Sequence, residues 1–135
     1  MKRLSLLLLL LVSTNVFAEW TPVTRTSAFI EYSDKSSKIR SGDMVRIWSM
    51  NNYILPQPTS SGKKYLSKKI QNEFDCTNQR YRLLSLIFYS LNLGYGDVVS
   101  MYDSVTNSSL TSVFSWKPLA PGTTGSELMI FACGN

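Results

Sequence analysis

The sequence predicts an α+β fold: a single antiparallel sheet of about five or six strands, a short C-terminal helix packed on one face, and one disulfide. Three observations carry this prediction. Short segments rich in aromatic and β-branched residues alternate with Gly-, Pro- and Ser-rich turns from Trp20 to Asp103. The tail after Trp116 changes to helical spacing. Two cysteines, Cys76 and Cys133, stand in a chain that opens with an export signal.

The N-terminus reads MKRLSLLLLLLVSTNVFAEW, with Lys2 and Arg3, an apolar run from Leu4 to Val12, and Val16-Phe17-Ala18 as a small-residue cleavage signal. The run is well short of the roughly 20 apolar residues of a membrane-spanning helix. Residues 1–18 are therefore expected to be a cleaved signal peptide and residues 19–135 a single domain. No cysteine stands near the cut, so no lipid anchor is expected, and the mature chain is expected to be soluble. Removing Lys2 and Arg3 leaves 12 basic against 9 acidic residues, a mild net charge of +3 on 117 residues. In an oxidising compartment, Cys76 and Cys133 are most simply read as one bridge. Loop-closure entropy puts its contribution on the order of 4 kcal/mol.

Along the mature chain, Trp20–Thr24 reads as a brief strand and Ala28–Tyr32 as a second, ending at Ser33-Asp34. DKSSKIRSGD follows as a polar connection, with Ser41-Gly42-Asp43 as a turn. MVRIWSMNNYIL is a strand with Val45, Ile47 and Ser49 on one face and Met44, Arg46, Trp48 and Met50 on the other. LPQPTSSG, residues 55–62, holds two prolines and is expected to be an exposed loop. From Tyr65 to Cys76 the chain alternates, and the set Tyr65, Ser67, Lys69, Gln71, Glu73 and Asp75 is almost wholly polar. That is a half-buried strand, with a helix left open by periodicity alone.

After a CTNQ turn, Arg80–Ser90 is apolar on both faces beyond Arg82, which suits a covered central strand. NLGYGD is a glycine-rich hairpin turn returning as DVVSMYD. Residues 103–115 read as a loop with room for a short edge strand. At the C-terminus Thr124 with Glu127 gives a capping-box pattern, Leu128, Phe131 and Ala132 fall at helical spacing, and Gly134 stands as a stop. Cys133 then sits in the last turn, so the disulfide would staple this helix to the strand ending at Cys76.

The sequence has no histidine, which removes the commonest general base and most zinc sites. No cofactor or metal is expected. Glu73 and Asp75 share one strand face and are the best carboxylate pair on offer, but that face reads as a solvated edge, so no catalytic residue is assigned. Ser61 to Lys64 matches Ser-x-x-Lys without its usual partner motifs and is read as chance. Asn107-Ser108-Ser109 has the form of a glycosylation sequon.

The charged feature with shape is KKYLSKK. Lys63, Lys64, Lys68 and Lys69 lie in a stretch with no acid between Asp43 and Glu73, and Arg80 and Arg82 add a basic pair that a neighbouring strand could bring alongside. Two readings stand side by side: a polyanion- or partner-binding patch, and a plain solvated strand start. On a strand Lys64 and Lys68 share a face, while Lys63 and Lys69 take the other. Tyr95, Tyr102, Trp116 and Trp20 fit either an interface or a core. The mild net charge argues against nucleic acid.

The order AEWTPV, MVRIWSMNNY, KKYLSKKIQNEFDCTNQRYRLLSLIFYS, a Gly-x-Gly turn, then SWKPLAPGTTGSELMIFACGN resembles the surface-adhesin protein E family of Gram-negative bacteria. The most specific pieces are the DC…RYRLLSL block, residues 75–86, and the W…PG…E…AC ending from Trp116 to Cys133. The resemblance implies an antiparallel sheet with a packed helix, a Cys76–Cys133 disulfide and no enzymatic activity. It also implies binding to host matrix or serum proteins and a homodimer, as in the family's lipoprotein namesake at the outer membrane. The lipidated cysteine is missing here, since Ala18-Glu19 stands at the cut, so a periplasmic or secreted protein is expected, with cell-surface association as the further case. The expected function is thus an exported, non-enzymatic adhesin-like module that binds a protein, a glycan or an envelope component. The alternative is a periplasmic inhibitor of a host hydrolase such as lysozyme. A basic target of that kind calls for an acidic inhibitor, and the charge of +3 runs against it.

Overall fold

The computed structural model describes residues 18–134, so the expected signal peptide lies, but for Ala18, outside the described residues. The strands are β1 Trp20–Arg25, β2 Phe29–Ser41, β3 Met44–Pro58, β4 Lys64–Asp75, β5 Arg80–Tyr89, β6 Val98–Asp103 and β7 Lys117–Pro118. The helices are α1 Thr111–Phe114 and α2 Thr124–Cys133. β1 to β6 lie side by side in chain order, each antiparallel to the next, and β7 pairs with β5 at Arg80 and Tyr81, beyond the stretch that β6 covers. The fold is therefore the expected antiparallel sheet with a C-terminal helix, with two additions. The sheet carries a seventh, two-residue strand, and residues 103–115 hold turns and the single turn of α1 rather than an edge strand.

Two segments expected to be connections are strand. DKSSKIRS continues β2 through an irregularity between Asp34 and Ile39, where the polar side chains replace the lost ladder bonds. Asp34 Oδ1 accepts from the Ser36 amide at 3.0 Å, and Ser37 Oγ donates to the Asp34 carbonyl while accepting from the Trp48 amide at 2.9 Å. Likewise β3 runs past Pro56 to pair Gln57 with Tyr65, because a register shift between Asn52 and Gln57 places the proline where no ladder donor is needed. The exposed loop shrinks to residues 59–63.

The polar set of β4 is also not a solvated edge. β4 is an interior strand between β3 and β5, and Ser67, Glu73 and Asp75 are buried. Asp75 ties the following turn, accepting from the Asn78 amide at 3.1 Å and from Asn78 Nδ2 at 2.9 Å, which supports the left-handed backbone of Gln79.

The core lies on the face that α2 covers. Val45 and Ile47 of β3 and Phe74 of β4 pack with Leu128 and Ala132 of α2. The helix starts one residue earlier than the Thr124/Glu127 pattern indicates. Thr123 is the cap, its Oγ1 accepting from the Ser126 amide at 3.2 Å while Ser126 Oγ accepts from the Thr123 amide at 3.1 Å. At the other end Arg40 Nη2 donates to the Cys133 carbonyl at 2.7 Å and Lys38 Nζ to the Gly134 carbonyl, placing two cations of β2 at the negative end of the helix dipole.

The Cys76–Cys133 disulfide joins that last turn to the end of β4, with Cα atoms 5.8 Å apart. It closes a loop with a sequence separation of 57. Replacing both cysteines by serine is expected to lower unfolding stability by about 4 kcal/mol, the loop-entropy figure, measured by urea unfolding extrapolated to zero denaturant, with an m-value that rises as the uncrosslinked denatured chain exposes more surface. A loss under about 1 kcal/mol would show that non-covalent contacts hold α2 in place unaided.

Candidate functional site

Side-chain alternation divides the sheet into two faces with different chemistry. On the α2 side three cross-strand rows follow one another. Ile47, Asn72 and Leu83 form the first, Ser33, Ser49, Ile70 and Leu86 the second, and Glu31, Asn51, Lys68 and Phe88 the third. β3 therefore presents Val45 and Ile47 to the core, then Ser49 and Asn51 at the next two inward positions. An aromatic series of Phe29, Tyr53, Tyr65, Phe88 and Tyr102, which meets the third row at Phe88, crosses five strands, with successive ring centroids 4.7 to 6.3 Å apart.

Between the core and that aromatic series, the polar positions floor a cleft of about 530 Å³. Leu119, Leu128 and the residues around the α2 N-terminus form its opposite wall. Ser49 Oγ and Asn51 Oδ1 are buried with no hydrogen-bond partner among the described residues. Burial pushes the Glu31 carboxyl up to about 7, with the Lys68 ammonium pulling weakly the other way. Glu31 is the one acidic residue lining the cleft among the described residues.

The opposite face carries an ion-pair cluster. Glu73 accepts from Arg46 Nε at 2.7 Å and from Arg82 Nη2 at 2.7 Å, while Asp75 accepts from Arg80 Nε at 2.9 Å. Burial alone would raise the Glu73 carboxyl, but the hydrogen bonds from Arg46 and Arg82 outweigh it and hold the group below its ordinary value. Hydrogen bonds from Asn78, seconded by Arg80, hold Asp75 down at about 2. Trp116 lies over both Arg80 and Arg82, 4.7 and 4.8 Å from ring centroid to guanidinium carbon.

The six basic residues singled out from the sequence do not form one surface. Lys63 and Lys64 are exposed at the β3–β4 loop. Lys68 points into the cleft side over the Tyr53 ring at 5.8 Å, while Lys69 lies on the other face over Trp20 and Tyr89 at 5.6 and 5.2 Å. Arg80 and Arg82 sit at the start of β5, opposite the far end of β4 and roughly 35 Å along that strand from Lys64, and are matched there by Asp75 and Glu73.

A further feature was missed in the sequence. Asn92 Nδ2 donates to the Tyr53 carbonyl at 2.8 Å and the Leu93 amide to Asn52 Oδ1 at 2.8 Å, so the 91–95 turn is fastened beside residues 52–55. Ile54, Leu55, Leu91, Leu93 and Tyr95 are all exposed there, and Val98 follows at the start of β6. Gly94 permits this close seat, since its φ is +74° and a Cβ would stand 2.7 Å from Lys69 Cε. The available signal was apolar residues inside turn sequences, IL before Pro56 and the leucines of LNLGY.

The family model described as Surface-adhesin protein E matches residues 20–134. Among solved structures, Haemophilus influenzae protein E aligns over 86% of this chain and 91% of its own, at 16% identity and a TM-score of 0.55. Its selenomethionine form aligns over 87% and 95%, at 18% identity and a TM-score of 0.54. Protein E from non-typeable H. influenzae aligns over 88% and 84%, at 16% identity and a TM-score of 0.53. Identities this low establish a shared fold. No curated protein sequence matches the chain. No helix of the described residues is long and apolar enough to cross a membrane.

Glu31 makes a pH-dependent contribution of definite sign. Its folded-state pKa of about 7 exceeds its ordinary 4.5, so the native state holds the proton more tightly and stability falls as pH rises through that window. The expected loss between pH 4.5 and 7 is up to roughly 3 kcal/mol. Glu31→Gln is expected to remove it, flattening the pH profile of the denaturation midpoint. A profile unchanged by the substitution would show that the carboxyl ionises freely.

Proposed function

The chain belongs to the surface-adhesin protein E family, and from that premise we propose that it is an exported, non-enzymatic adhesin-like module whose partner is a host matrix or serum protein. The observation that carries this reading is the exposed apolar cluster of Ile54, Leu55, Leu91, Leu93, Tyr95 and Val98 at one end of the sheet. Apolar side chains gathered on two adjoining segments, rather than scattered singly, are the mark of an interaction surface. Lys63 and Lys64, at the same end of the β3–β4 hairpin, add positive charge for an anionic partner.

The chemistry elsewhere supports binding over catalysis. Both cysteines are in the disulfide. Glu73 and Asp75 are buried and paired with arginines, held below their ordinary pKa values, which suits neither for general-acid work. The cleft beside α2 has Glu31 alone, where glycoside hydrolysis by the usual route needs two carboxylates. The same burial of Glu73 and Asp75 weakens the inhibitor reading, because neither acid is displayed to a basic enzyme.

Leu55→Lys and Leu93→Lys, both at exposed positions, are expected to leave the fold intact. Each is expected to weaken retention on immobilised matrix or serum proteins by at least about tenfold, the cost of losing an interface anchor. Unchanged retention would remove the patch from the binding surface. A homodimer that dissociates on these substitutions, with no loss of matrix binding, would assign the patch to a second copy instead.

A further inference from the structure

The polar side chains in the rows beneath α2 run against what packing would select. β3 alternates cleanly, yet its inward series passes from Val45 and Ile47 to Ser49 and Asn51 before returning to Tyr53. Ser49 is 0% exposed and Asn51 7%, and each has a side-chain oxygen without a partner among the described residues. An unsatisfied buried polar group costs on the order of 1–3 kcal/mol, whereas alanine or leucine at these positions would cost nothing of the kind. Glu31, 5% exposed, adds a carboxyl in the same row.

We propose that the cleft between the sheet and α2 is a binding site for a neutral polyhydroxylated ligand, on the order of one or two sugar rings in size. The volume of about 530 Å³ falls within the range typical of small-molecule sites. Its lining mixes polar groups with apolar surface, as binding a pyranose requires. The floor offers the Ser49 hydroxyl, the Asn51 and Asn72 amides and the Glu31 carboxyl, a mixture of donors and acceptors for ring hydroxyls. Leu119 and Leu128 on the opposite wall, with Leu83 and Leu86 beside the polar groups on the floor, supply apolar surface for the C–H face.

Two cations, Lys68 and Lys117, line the cleft against Glu31, but Lys117 Nζ turns to the Val113 carbonyl at 3.4 Å, which leaves Lys68 and Glu31, in one row through Asn51, as the opposed charges of the floor. With its pKa near 7, the Glu31 carboxyl can either donate to or accept from a hydroxyl. This site is separate from the apolar end patch, because the 91–95 turn packs on the other face, against Ser67 and Lys69. The two readings therefore fail independently.

The test uses the disulfide-bonded domain and amide NMR titration with glucose, galactose, N-acetylglucosamine, maltose and chitobiose, with inorganic phosphate as the anionic control. Saturable shifts at Glu31, Ser49, Asn51, Lys68 and Asn72 are expected for at least one sugar, with a Kd in the millimolar range expected of a small ligand. Ser49→Ala and Asn51→Leu are expected to raise the thermal midpoint of the free protein while weakening that sugar at least about tenfold. Ser49→Ala removes a single oxygen and keeps the fold available for measurement. No saturable shift with any of the five sugars would overturn the proposal. Shifts from phosphate alone, or sugar binding that both substitutions leave intact, would overturn it as well.

Discussion

The Cys76–Cys133 bond decides where α2 lies, and the rest of the architecture depends on that placement. Leu128 and Ala132 are the buried contacts of the helix, with Met129 and Phe131 partly buried beside them, and their partners are Val45 and Ile47 at the start of β3 and Phe74 near the end of β4. A ten-residue helix is too short to persist by its own propensity. Clamped at Cys133 and held at its last carbonyls by Arg40 and Lys38, it closes Val45, Ile47 and Phe74 into a core. Its N-terminal end then stands over Ser49, Asn51 and Asn72, turning a polar stretch of sheet into a walled cleft.

The two faces resolve buried polarity in opposite ways. Glu73 and Asp75 lie under arginines whose hydrogen bonds more than compensate burial, and Trp116 covers the guanidinium planes. That face is satisfied and structural. On the α2 face Ser49 and Asn51 keep unpaired oxygens, and Glu31 is held near neutral by burial. Within one sheet, polar groups saturated by partners therefore mark framework, and polar groups lacking them mark a place where something else can bind.

The sequence carried the succession of strands and the C-terminal helix because those features are local, and the disulfide because only two cysteines stand in a chain with an export signal. Alternation in Met44–Met50, the Gly42 turn and the Thr/Ser/Glu pattern before Leu128 each act within a few residues. It carried the continuation of β2 and β3 poorly. DKSSKIRS and LPQP have loop composition, and only their partners, Trp48 for Ser37 and Tyr65 for Gln57, make them strand. The basic residues divide. Alternation alone puts Lys68 and Lys69 on opposite faces, as the fold does, whereas Arg80 and Arg82 meet Asp75 and Glu73, nine or fewer positions away, whose composition reads as a solvated edge. The cleft did leave a trace, Ser49 sharing a face with Val45 and Ile47, but a single polar residue in an apolar series has no meaning until its neighbours across the sheet are known.

Amide hydrogen exchange on the oxidised and reduced protein tests the clamp most directly. Reduction is expected to raise exchange at Glu127 to Cys133 and at Leu119, while Val45–Met50 and Lys69–Phe74 keep the protection of paired central strands. Equal protection of α2 in the two redox states would contradict the dependence of the helix, and of the cleft beneath it, on that covalent link.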